Sequence, residues 1–264
     1  MSAVANAKIK VDITQRFDAL TVFQNLKYTV AENEFLCILG RSGCGKTTLA
    51  NLMTGLLKPT EGAISIDDVP VDPKRHELAF VFQEPSLWPW RNVRDNIRIG
   101  MEIKKVPPDV VEQRMAEMTE LVGLKGFENY FPYQISGGMK QRVAIARAFS
   151  VDADLILMDE PFAALDAQTR QKMQAEVLRI WEQRKHTVMF ITHSLEESIY
   201  LAERIIVLSD KPTTIKGDFV VDLPRPRDFA QQRALPTLGE GGVDDHRPAS
   251  VQRAAGKLGQ PRIG

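Results

Sequence analysis

Short, continuously apolar runs recur along the chain. Between them lie longer segments whose apolar residues return every three or four positions. The runs EFLCILG (34–40), AISI (63–66), LAFVF (78–82), DLILMD (154–159), HTVMFIT (186–192) and RIIVLSD (204–210) predict short strands. A strand that is apolar at every position is buried on both faces, as in a parallel sheet flanked by helices. The helical spacings are KTTLANLMTGLL (46–57, closed before Pro59), NVRDNIRIGMEI (92–103), PDVVEQRMAEMTELVGL (108–124), GGMKQRVAIARAFS (137–150) and AQTRQKMQAEVLRIWEQR (167–184). In the last of these Met173, Val177, Ile180 and Trp181 share one face. The alternation predicts an α/β fold. The stretch from about 84 to 152 carries helical spacing without strand runs and reads as a helical subdomain inserted into it. No internal repeat is visible. From Arg225 to Gly264 the chain is rich in proline, glycine and arginine and loses its apolar period, which predicts a flexible tail after a domain spanning 1–224.

Composition narrows the function classes. The chain has 264 residues, 44% of them hydrophobic, enough for a well-buried core. Lysine plus arginine equals aspartate plus glutamate, 34 each, so bulk charge gives no pull toward nucleic acid or an anionic membrane. No apolar run is long enough to span a bilayer, and the first residues, MSAVANAKIKVDIT, lack an apolar signal core. The expectation is a cytosolic protein. Cys37 reads as a small core residue. Cys44 lies in a glycine-rich loop, where a thiol reagent would be expected to block a site.

That loop carries the first clear chemistry. Gly40, Arg41, Ser42, Gly43, Cys44, Gly45, Lys46 and Thr47, with Thr48 behind them, fit the pattern G-x-x-x-x-G-K-S/T between a strand and a helix. Glycines let successive N–H groups turn onto phosphate oxygens, and the helix start adds its positive dipole end. Lys46 is expected on the β- and γ-phosphates and the Thr47 hydroxyl on Mg²⁺. Downstream, LILMDEP (155–161) ends a strand in two carboxylates. Alternation along a strand predicts that Asp159 and Glu160 point different ways. Asp159 is assigned to the metal and Glu160 to polarising the attacking water. A second glycine-rich turn, QISGGMKQR (134–142), opens another helix. One nucleotide needs only one cradle, so this second turn calls for another explanation.

With these elements in order, the chain resembles the ATP-binding subunit of ABC transporters over about residues 8–227. Ile135, Ser136, Gly137, Gly138 and Met139, with Gln141, are similar to that family's signature sequence. The resemblance implies a P-loop NTPase core of the RecA-like kind with an inserted helical subdomain and an N-terminal antiparallel β portion. It implies that two subunits face each other, so that Ser136, Gly137 and Gly138 meet the nucleotide held by the partner. Ser136 also reads as a plain N-cap of its own helix, and both roles stand together. The resemblance further assigns Gln83 to magnesium and the attacking water, His193 to the γ-phosphate, Asp166 to the loop crossing between subunits, and Phe17 to stacking on adenine. Asp166 reads equally as an N-cap, and Phe17 as a core residue. Ser194 and Glu197 read as a capping box after His193. Asn33 stands where the family commonly has glycine, and asparagine tolerates the left-handed turn.

The stretch VFQEPSLWPWRNVRDNIRIG (81–100), and VDLPRPRD (221–228), are most similar to the nitrate, sulfonate and taurine importers of the family. That implies ATP and Mg²⁺ as cofactors and a homodimer, or a pair with a paralogous ATPase subunit. Transmembrane permease subunits are implied as partners, a substrate-binding protein as an indirect one, and a peripheral place on the cytoplasmic face of the inner membrane. Trp88 and Trp90 are expected either to line a groove for a permease helix or to pack inside the helical portion. An exporter ATPase and a soluble ABC ATPase on nucleic acid are the competing readings. The single cassette, and the lack of basic helices interleaved with aromatics, argue against nucleic acid.

Overall fold

The computed structural model describes residues 7–227. In chain order it runs through β1 (Ala7–Phe17), β2 (Leu20–Ala31), β3 (Phe35–Leu39), α1 (Lys46–Met53), β4 (Glu61–Ile66), β5 (Val69–Pro70), β6 (Leu78–Val81), α2 (Val93–Ile103), α3 (Pro108–Leu121), α4 (Gly137–Phe149), β7 (Leu155–Asp159), α5 (Ala167–Arg184), β8 (Val188–Thr192), α6 (Leu195–Leu201), β9 (Arg204–Leu208) and β10 (Ile215–Val220).

Two sheets form. The larger has the order β10-β9-β3-β8-β7-β6. Its members from β9 to β6 pair in parallel, and β10 closes one edge antiparallel to β9. Side chains of β3 and β8 divide between two cores with period two, as pleating demands. Phe35, Cys37, Val188 and Phe190 face helices α2 to α6. Leu36, Ile38, Met189 and Ile191 face α1 and the second sheet. Both faces are covered, which is why these strands read as unbroken apolar runs. Trp181 of α5 packs edge-on to Phe35 at 5.6 Å and donates its indole N–H to the His186 carbonyl at 2.8 Å.

The second sheet is antiparallel, in the order β2-β1-β4-β5. The run 63–66 joins it rather than the parallel sheet. Ile64 and Ile66 are buried while Ala63 is exposed, a half-buried alternation proper to an antiparallel sheet with one wet face. Helix α1 is shorter than its apolar period suggests. It ends at Met53, where Thr54 turns its hydroxyl back to the Ala50 carbonyl (3.1 Å) and Gly55 takes a left-handed φ of 71°. Asn33 sits at φ 61°, in the left-handed turn expected of it.

Helices α2, α3 and α4 lie between β6 and β7 in sequence. Residues 225–227, where the flexible tail was expected to begin, are docked. Arg225 stacks over Trp181 at 4.7 Å and donates to the Leu201 carbonyl. Arg227 donates to the Ile199 and Ala202 carbonyls at the end of α6. Burial lowers the Arg227 guanidinium to about 10. The remainder of that expected tail lies outside the described residues.

Candidate active site

The loops following β3, β7 and β8 open at the same edge of the parallel sheet, the carboxyl edge, where open α/β sheets hold ligands. The loop after β3 turns sharply through Gly45, at φ 106°. A Cβ there would sit 2.7 Å from the Val22 side chain and 3.0 Å from Phe23, so only glycine fits. Gly45 also occupies the cap position of α1 and offers no side chain to the helix's first N–H groups. Lys46 is buried. Its Nζ donates to the carbonyls of Gly40 and Arg41, both at 3.1 Å, and lies 3.1 Å from Oε1 of Glu160. The other carboxylate oxygen of Glu160 is 2.9 Å from Nδ1 of His193. Thr47 Oγ1 reaches Asp159 Oδ2 at 3.5 Å. Lys46, Thr47, Asp159, Glu160 and His193 therefore form one connected set. Arg41, Ser42 and Gly43 are exposed around it, and Thr48 is half-buried behind.

The two carboxylates do not part as strand alternation predicts. β7 ends at Asp159, and Glu160 leaves it in a left-handed conformation, φ 44°. For a side chain with a Cβ this conformation is costly, about 1–3 kcal/mol, and persists only where neighbours hold it. Here Glu160 N–H donates to the Ile191 carbonyl at 2.9 Å. The turn swings Glu160 onto Lys46 while Asp159 meets the adjacent Thr47, so both acids face the same helix start. Burial raises the Asp159 carboxyl, the neighbouring Glu160 raises it further, and Lys46 and Thr47 work the other way.

A second group gathers elsewhere. Ser136 is exposed and caps α4, its Oγ accepting from Met139 N–H at 3.3 Å. Gly137 faces open space. A Cβ on Gly138 would lie 3.3 Å from Thr169 and 3.8 Å from Leu165, so the turn packs on the start of α5. Asp166 caps that helix, accepting from Thr169 N–H at 3.0 Å. Among the described residues, no hydrogen bond joins this group to the Lys46 set. Gln83 is exposed just beyond β6, and Phe17 is 43% exposed at the end of β1.

A family profile described as ABC transporter matches residues 23–163. The chain belongs to the ABC transporter family. An uncharacterized ABC transporter ATP-binding protein of Methanocaldococcus jannaschii is 46% identical over 226 residues, 84% of this chain and 85% of that one. The taurine import ATP-binding protein TauB of Pelagibacter ubique is 43% identical over 206 residues, 78% of each. The nitrate import ATP-binding protein NrtD of Synechococcus elongatus is 41% identical over 234 residues, 88% of this chain and 82% of its own. A solved ATP-binding cassette, dimeric and bound to ADP and phosphate in a post-hydrolysis state, superposes with a TM-score of 0.70 at 30% identity. It covers 82% of this chain and 100% of that one. The chain is thus an ABC-type ATPase that binds ATP and couples it to a transporter, on the P-loop NTPase fold with its antiparallel sheet and helical portion.

Within this ATPase two sequence expectations change. Cys44 is not open to reagents. It is buried against Gly40, and burial raises its thiol. The capping box after His193 is only half formed. Ser194 Oγ accepts from Glu197 N–H at 3.2 Å, but the Glu197 carboxylate does not return the bond. It accepts instead from Thr192 Oγ1 (2.5 Å) and Gln174 Nε2 (3.2 Å), while Ser194 N–H turns to Thr192 Oγ1 (3.0 Å).

Other residues hold the site's approaches through contacts that the sequence reading did not assign. Buried Gln141 donates to the Phe82 carbonyl at 3.3 Å, and Arg147 to the Ser86 carbonyl at 2.8 Å, so α4 grips the Gln83 segment from both sides. Asn96 is buried and makes four bonds to the 88–92 loop. It accepts from Trp88 N–H at 2.8 Å and shares its two amide hydrogens among the carbonyls of Trp88, Arg91 and Asn92. A polar residue among Val93, Ile97 and Met101 on the buried stripe of α2 was the available signal. Trp88 and Trp90 do not pack inside the helical portion. They are 37% and 71% exposed, with rings 6.1 Å apart, and the Arg91 guanidinium lies 4.9 Å from the Trp88 ring.

Proposed function

We propose that this chain is the ATP-hydrolysing, energy-coupling subunit of an importer for small oxyanions or organosulfonates, the class that includes nitrate, sulfonates and taurine. The names of the taurine, nitrate and aliphatic sulfonate import relatives support that class. The exposed tryptophan pair at the Gln83 segment supports docking of a permease helix there. Among the described residues no helix is long and apolar enough to cross a membrane. That fits a peripheral subunit on the cytoplasmic side of permease partners, with a substrate-binding protein reached only through them.

The observation that carries the reading is the chain of contacts from Lys46 through Glu160 to His193. In this assignment the N–H groups of residues 40–48 and Lys46 hold the phosphates, and Phe17 stacks on the base. The donors at the start of α1 are hard oxygens, Thr47 and Asp159 at 3.5 Å, which suit Mg²⁺ together with phosphate oxygens and water. Gln83 stands beyond β6 as a further oxygen donor. Mg²⁺, when held there by Thr47 and Asp159, would supply positive charge to offset that of the phosphates. Glu160 takes the proton of the attacking water, and His193 and Lys46 stabilise the charge that develops on the γ-phosphate.

Each chain carries one Lys46 set and one Ser136 set, with no direct hydrogen bond between them among the described residues. A second copy turned head to tail completes both, with Ser136, Gly137, Gly138 and Asp166 reaching the partner's nucleotide. The dimeric cassette described above supports this arrangement. The test is Glu160→Gln. It should bind ATP as tightly as the parent while turnover falls by about 10²–10⁴-fold, the usual contribution of a general base. Binding by titration and phosphate release by assay read the two separately, and parental turnover in the variant would refute the assignment.

A further inference from the structure

Beneath His193 lies a small cleft lined by Glu160, Ala163, Arg170, Thr192, Ser194 and Glu197 as well as His193 itself. Its floor is a charged group that the proposed chemistry does not use. Glu197, on α6, is buried. Its Oε2 accepts from Thr192 Oγ1 at 2.5 Å, and the same hydroxyl accepts from Ser194 N–H at 3.0 Å. The residues on either side of His193 are thus both fixed to Glu197. On its other side Glu197 meets α5. Oε1 accepts from Gln174 Nε2 at 3.2 Å and lies 4.0 Å from Arg170 Nε. Arg170 in turn donates from Nη2 to the Leu165 carbonyl at 2.9 Å, one residue before Asp166.

A neutral side chain could satisfy Thr192 and Gln174 equally well and would avoid the cost of burying a charge. The negative charge acts on Arg170, whose Nε is buried with no hydrogen-bond partner, and on His193 itself. We infer that Glu197 and Arg170 are positioning residues that tie the loop carrying His193 to the loop carrying Asp166, so that the placement of one sets the placement of the other. This rests on the reading that His193 meets the γ-phosphate and that the Asp166 loop faces the partner subunit. Docking of a second copy on residues 163–166 would then be felt at His193 through Leu165, Arg170, Glu197 and Thr192.

The test compares Glu197→Gln, Arg170→Met and the double variant, each in the parental and in the His193→Ala background. Turnover is read as release of labelled phosphate and affinity by ATP titration. In the parental background each single change should lower kcat by about tenfold to a hundredfold, the scale of a misplaced catalytic group. ATP affinity should stay within about twofold, because the cradle itself is untouched. The double variant should be no slower than the slower single, since both break one link. In the His193→Ala background neither change should lower the residual rate further. Parental turnover in both singles, or losses of equal size in both backgrounds, would overturn the inference in favour of a purely structural role. Arg170 is partly exposed, so its variant reads the link even if Glu197→Gln fails to fold. Full turnover in His193→Ala alone is a different failure: it removes the assignment of His193, and the link with it.

Discussion

At the scale of single residues, the site depends on a backbone held in a conformation it would not choose alone. Glu160 is the clearest case, with its left-handed backbone held by the Ile191 carbonyl and its carboxylate shared between Lys46 and His193. His186 bears on stability. It is buried between α5 and β8 beside the Phe149 ring, and burial lowers its affinity for a proton, with Arg184 adding to the effect and Asp152 opposing it. The folded-state pKa lies below the unfolded one, near 6.5. The unfolded chain therefore takes the proton first, and stability falls as pH drops through that value toward the folded-state pKa. Urea midpoints at pH 7.5 and 5.5 should show a larger loss for the parent than for His186→Gln. An equal loss in both would mean that other groups carry the dependence. The residue types of the phosphate loop and the acid pair are legible in the sequence because their spacing is local. Glu197 was legible only as a cap, because its true partners, Thr192 and Gln174, are brought to it by two different elements.

At the scale of elements, the six strands and five helices with strong apolar periods form close to where those periods put them. The ends differ where a local cap wins, as at Thr54 and Gly55. β1 and β2 carry no continuous run and escape the same reading. In β1 the buried apolar residues, Ile9, Val11 and Ile13, alternate, a period of two suited to a sheet with one covered face. α2 shows how an element positions a surface. Its buried Asn96 holds the loop bearing the exposed tryptophans through side-chain bonds to Trp88 and Arg91. Asn96→Leu would keep the volume but leave the Trp88 N–H and the Trp88 and Arg91 carbonyls without these partners. Each such lost hydrogen bond costs about 0.5–1.5 kcal/mol. The urea midpoint should fall accordingly, and an unchanged midpoint would show that other contacts fix the loop.

At the scale of the whole molecule, the proposed reading gives one chain two half-sites, and its consequence is ATP-dependent pairing. Glu160→Gln, which should hold ATP without consuming it, is expected to sediment as a dimer with ATP and as a monomer without it. Adding Ser136→Arg should abolish the dimer while leaving ATP bound to the single chain. A dimer that survives the arginine would mean that the signature turn does not face the partner's nucleotide. By itself the sequence determined what depends on neighbours in the chain: the strand-loop-helix with its glycine-rich loop, the acid pair at the end of β7, the capped turn at Ser136, and the buried parallel sheet. Only the tertiary structure decided that Asp159 and Glu160 face the same helix start, that Cys44 is sealed, and that α4 grips the Gln83 segment. It alone joined the loops around His193 and Asp166 through Arg170 and Glu197. Those outcomes turn on which elements the sheet order sets side by side, and contacts between residues far apart in the chain leave no periodic trace in either partner's segment.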